Sequence, residues 1–120
     1  MNPERHRYLA QRIEKSVAHC SEQDWEITIE AAMLAGTHWA NYALHRRGVS
    51  AENEDIIHTS MMVVNTLRKY KIVEPELLRA LDEIEELRPL HVRGDAAGSR
   101  EAARRARALL EQISLHAQRV

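Results

Sequence analysis

The sequence predicts an all-α fold: an up-and-down four-helix bundle with an additional helix, five helices in a single domain over residues 1–120. Three observations predict it. Apolar residues recur at spacings of three and four, and no stretch alternates over a strand length. Pro3, Gly48, Pro75, Pro89, Gly94 and Gly98 stand at joints between the periodic segments, and Gly36 alone lies inside one. A chain of 120 residues makes one domain able to bury roughly two-thirds of its unfolded surface without staples.

The first helix covers about residues 3–20, with Leu9, Ile13, Val17 and Cys20 on one stripe. Ser21 or Asp24 caps the next. The second helix, 25–47, carries two apolar stripes: Trp25, Ile29, Ala32, Gly36, Trp39 and Ala43, then Ile27, Ala31, Leu34, His38, Tyr42 and His45. Two stripes mean cover over much of its circumference. Its small-residue middle, AAMLAGTHWA, suits a central strut or a subunit interface, and Arg46-Arg47-Gly48 is a helix end with a glycine beyond its cap. A third helix is expected over 51–70, with Glu52, Glu54 and Asp55 at the positive end of its dipole and Ile57, Met61, Val64, Leu67 and Tyr70 inward. Pro75 opens a fourth over 75–88, with Leu77, Leu81, Ile84, Leu87 and Arg88 on one face and an acidic face opposite. Pro89 ends it, and 89–98 is a loop. Ser99 caps a fifth, 100–118, with Ala102, Ala106, Leu109, Leu110, Ile113 and Ala117 inward. Its outer face bears Arg100, Arg104, Arg105 and Arg107, so it fits antiparallel against the acidic fourth helix.

Composition narrows the function. Formal net charge is −1, which argues against holding nucleic acid by bulk charge but leaves room for a local basic patch. Aromatic residues are too few for a stacking platform. One cysteine, Cys20, allows neither an intramolecular disulfide nor a cysteine zinc cage, and fits a reducing cytoplasm. No apolar run reaches membrane-spanning length, and MNPERHRYLAQ lacks the apolar centre of a signal peptide. A cytoplasmic chain with no membrane partner is expected.

Two constellations carry chemistry. Seven histidines raise the question of metal. His38 and His45 lie two turns apart on one helix, roughly 10 Å, too far for one ion. Asp55-x-x-His58 is the nearest approach to a di-iron ligand pair, with His38 a partner from the second helix. No metal site and no cofactor are expected, and His38 and His58 are read as binding residues. The second constellation is LRPLHVRG at 87–94. A metal-independent ribonuclease needs a base for the 2′-hydroxyl and a cation for the phosphorane charge. His91 and Arg88 suit those roles, and Arg88 with Arg93 suits binding a phosphate or a carboxylate. The plainer reading is a helix stop.

From Trp25 onward the pattern resembles the HEPN superfamily of small prokaryotic helical proteins. The residues are EAAMLAGTHWANYALHRRGV, DIIHTSMM, and LDEIEELRPLHVRGDAAGSREAARRARALLEQI. The resemblance implies a bundle that forms a homodimer, paired with a nucleotidyltransferase-type antitoxin or acting on RNA in stress or toxin–antitoxin systems. It also implies, in catalytic members, an Arg-x4-6-His motif beginning at the place of Arg88. The histidine would then fall at 93–95, where Arg93, Gly94 and Asp95 stand, and His91 comes two residues early. The leading expectation is therefore a dimeric binding module. The rivals are a metal-independent endoribonuclease using Arg88 and His91, and a histidine-bearing metal-binding bundle.

Overall fold

The computed structural model describes residues 1–59 and 62–120. Its order is α1 (Pro3–Ala18), α2 (Trp25–Arg46), α3 (Val64–Val73), α4 (Pro75–His91) and α5 (Ser99–Ala117). The four long helices make the bundle and α3 is the short additional one. Helix α2 is the central strut, packed by α1, α4 and α5; α4 and α5 pack together, and α3 leans on α4. Among the described residues no helix is long and apolar enough to cross a membrane.

Local chemistry sets the helix ends. Asn2 caps α1 by accepting the Arg5 N–H at 2.8 Å, with Pro3 in the first turn. Asp24 is the N-cap of α2, but its carboxylate turns back to accept from the N–H and hydroxyl of Ser21 at 2.8 and 3.0 Å. It therefore closes the α1–α2 turn instead of capping the helix. Beyond α2, Gly48 takes φ +71°, Gly48 N–H donates to His45 O and Val49 N–H to Leu44 O, both at 3.0 Å. This is the two-bond Schellman ending that the glycine permits.

Three boundaries differ from the sequence expectation. The third helix begins at Val64 instead of residue 51, because Asp55 and the backbone of Ile56 are committed to the tertiary contacts described below. Ile57 and Val64 are consequently exposed, Tyr70 is buried, and Met61 lies outside the described residues. Helix α4 does not stop at Pro89 but runs through it to His91. Val92 and Arg93 N–H groups both donate to Arg88 O at 3.0 Å, holding the final turn. Gly98, at φ +83°, is the N-cap of α5. Ser99 is its first residue and gives its hydroxyl to Ala96 O at 3.1 Å.

The core is made of small residues on α2 and α5 and leucines on α4. Ala32, Ala35, Ala40 and Ala43 are fully buried against Leu81, Ile84, Ala106 and Ile113. A Cβ on Gly36 would stand 3.1 Å from Leu81 Cδ1 and 3.3 Å from Ile113 Cδ1. The small-residue middle of α2 thus serves close approach of its own α4 and α5. Trp39 is fully buried, meets Tyr42 edge-on at 5.5 Å, and donates its indole N–H to Glu14 of α1. Cys20 lies beyond α1, half-buried, its thiol 3.7 Å from Ser16 O, so it is not the core residue its spacing predicted. Ion pairs lace the outside. Arg105 grips Glu83 across α5 and α4, as the opposed charges predicted, while Arg104 bridges Glu22 and Glu101 at 2.6 Å each.

Candidate functional site

Two sites sit on either side of the segment 54–58, which crosses between α2 and α3. Its middle is fastened to α2. The Asn41 side-chain amide donates to Ile56 O at 2.9 Å and its carbonyl accepts from Ile56 N–H at 2.7 Å. Asp55 therefore faces the histidines of α1 and α2, while Ile57 and His58 face a groove along α2.

The groove encloses about 440 Å³ and is lined chiefly by Ile27, Ala31, Leu34 and Ile57, with Arg88 and His58 among its polar residues. Ile27, Leu34 and Ile57 are 63%, 53% and 75% exposed. In the N-terminal half of the second predicted stripe of α2, Ile27 and Leu34 are thus exposed among the described residues and Ala31 is half-buried. Arg88, only 9% exposed, is not a free cation. Its Nε and Nη2 donate to the two oxygens of Glu30 at 2.5 and 3.1 Å, and Nη1 donates to Glu85 at 2.9 Å. The hydrogen bonds to Glu30 first, then those to Glu85, hold its pKa above the ordinary guanidinium value against the opposing effect of burial. His91 is turned elsewhere, with Nδ1 3.0 Å from Ser99 Oγ at the start of α5. Arg93 is exposed. Among the described residues no side-chain hydrogen bond joins Arg88, His91 and Arg93 into one site.

The second site is a partly buried hydrogen-bonded chain. His6 Nε2 lies 2.9 Å and His45 Nε2 2.7 Å from the same oxygen, Asp55 Oδ1. His6 Nδ1 meets His38 Nδ1 at 2.9 Å. His45 Nδ1 meets the Ser50 hydroxyl at 2.7 Å and the Ser50 carbonyl at 3.2 Å. The N-terminal amine approaches Asp55 Oδ2 at 3.1 Å. Burial pushes the Asp55 carboxyl up, but bonds from His45, His6 and the amine together hold it down at about 2. Burial lowers His6 and His38, favouring neutral rings.

Sequence reasoning placed His38 and His58 as binding residues that could meet across helices. The structure separates them, His38 joining His6 and His58 lining the groove. It missed His6 and Asp55 as partners. His6 does stand on the buried stripe of α1, four residues before Ala10 and eleven before Val17, and that spacing was the available signal. No family model, curated protein or solved structure matches the chain.

Proposed function

We propose that the chain is a binding module that works as a homodimer, each copy laying the bare α2 stripe of Ile27, Ala31 and Leu34 into the groove of the other. The observation that carries this reading is the run of aliphatic side chains, Ile27, Leu34 and Ile57, left exposed among the described residues. Contiguous apolar surface of this kind marks an association site. Glu26 and His58 line the groove beside the aliphatic residues, and in a two-fold contact this one patch serves both copies.

Charge favours protein over RNA as the occupant. Arg88 is already neutralised by two carboxylates, and a phosphate would have to displace them. The ribonuclease reading loses support for that reason and because His91 bonds to Ser99. A nucleotidyltransferase-type partner, which the HEPN resemblance implies, is the protein we propose the dimer engages in a toxin–antitoxin or stress system.

Light scattering at micromolar concentration tests the module. A dimer mass for the wild type and a monomer mass for Leu34→Glu and Ile27→Glu, with helicity unchanged, is the expected result. A monomeric wild type overturns it.

A further inference from the structure

We infer that His6, His45 and Asp55 form a binding site for one divalent transition-metal ion of the zinc(II) class, separate from the apolar groove. One donor atom from each lies within 4.8 Å of the others. Two imidazoles and a carboxylate suit zinc and its first-row neighbours, whereas calcium and magnesium require sites made mostly of oxygen. Three protein ligands leave a further coordination position open.

The outer hydrogen bonds suit ligation. His45 Nδ1 lies 2.7 Å from the Ser50 hydroxyl and 3.2 Å from the Ser50 carbonyl, and its Nε2 lies 2.7 Å from the Asp55 carboxylate. With its one proton on Nδ1, toward the Ser50 carbonyl, His45 turns a bare Nε2 to an ion placed between it and Asp55. His6 has the matching arrangement: its Nδ1 can donate to His38 Nδ1, leaving Nε2 free to ligate. Metal-binding histidines characteristically give their second nitrogen to such an outer partner, which fixes the tautomer and the ring orientation.

The fit needs a small movement. Ligand bonds of about 2.0–2.2 Å in a tetrahedron place donor atoms roughly 3.3 Å apart, wider than the present 2.9 and 2.7 Å to Asp55 Oδ1. Asp55 sits on the connection between α2 and α3, so its carboxylate can withdraw by the few tenths of an ångström required. His6 and His45 are held by long helices and stay. Asp55 also lines a second cavity of about 360 Å³, which supplies a route from solvent.

Untagged protein, stripped with EDTA and dialysed, is titrated with zinc chloride by calorimetry at neutral pH. One equivalent is expected to bind, with Asp55→Asn and His45→Gln weakening it by more than the ~10–100-fold typical of losing an outer partner, and Ser50→Ala falling within that range. His19→Ala, an exposed histidine, leaves it unchanged. Imidazole nitrogen NMR of the wild type gives a reading that needs no variant: zinc shifts the Nε2 signals of His6 and His45 and spares those of His19 and His91. Failure to bind one equivalent overturns the inference. Equal zinc affinity in both ligand variants, or shifts confined to other histidines, also overturns it.

Discussion

Asn41 holds Ile56 by both of its backbone groups, at 2.9 Å through Ile56 O and 2.7 Å through Ile56 N–H. A primary amide is the side chain that can donate and accept in this parallel fashion, and Asn41 is buried in the middle of α2 where water cannot substitute. Replacing it with alanine orphans two buried backbone groups, each costing about 1–3 kcal/mol. Asn41→Ala should therefore lose roughly 2–4 kcal/mol in urea unfolding, and amide exchange at 55–58 should accelerate well before the rest of the chain. Asn41→Asp, which sets a carboxylate oxygen against Ile56 O, should be no better.

Arg88 ties α2 to α4 through Glu30 and α4 to itself through Glu85. Arg88→Ala should cost about 2 kcal/mol, less than the ~3–5 of a fully buried pair, because Glu30 is partly in solvent. Arg88→Lys should recover only part of this, since an ammonium cannot span both oxygens of Glu30 in the same fork. Thermal unfolding measures both. Incubation of the wild type with labelled RNA should show no cleavage.

Gly36 faces Leu81 of α4 and Ile113 of α5 at close range. Gly36→Ala adds a methyl group against Leu81 and Ile113, an overpacking cost of about 1–3 kcal/mol, offset by just under ~1 kcal/mol of better helix propensity. A net loss of about 1 kcal/mol is expected. Gly36→Val should lose more, and an increase in stability for either would remove the close-approach account.

Glu14 has its carboxyl pushed up by burial, against the opposing hydrogen bonds from Trp39 and Ser114. A carboxyl raised in the folded state favours folding while protonated, and that contribution is lost as pH rises from the ordinary value near 4.5 through the folded one. Glu14→Gln keeps an acceptor for the Trp39 indole and removes the buried charge. It should raise the melting temperature at pH 7 and leave it nearly unchanged at pH 4, the difference growing across that window.

How much of this was legible varies with how many uses a residue has. Gly48 after Arg46-Arg47 admits one structural use, and it ends α2 as read. Leu77, Leu81 and Ile84 of α4 and the whole α5 stripe are likewise buried as read, with Leu87 only partly so, because apolar side chains at helical spacing have one favourable place to go. Glu52, Glu54 and Asp55 have two uses. Carboxylates stabilise a helix N-terminus by about 0.3–1 kcal/mol each, and they also accept tertiary hydrogen bonds. Asp55 took the second course with two histidines, and the helix starts at Val64. The partner of Asp55 on α1, His6, lies 49 positions away, and no local pattern relates the two. Pro89 shows the opposite error: its ring removes one helical bond, yet the paired donors to Arg88 O hold the next turn.

Trp39 gives the chain a built-in optical reporter. Its indole is fully enclosed and donates to Glu14 of α1, whereas Trp25, at the start of α2, is only partly covered. In a Trp25→Phe background the remaining emission comes from the seam between α1 and α2. Withdrawal of α1, the helix that delivers His6, would move that emission to the red even while α2, α4 and α5 stayed together, so loss of the histidine site could be timed by fluorescence apart from melting of the bundle.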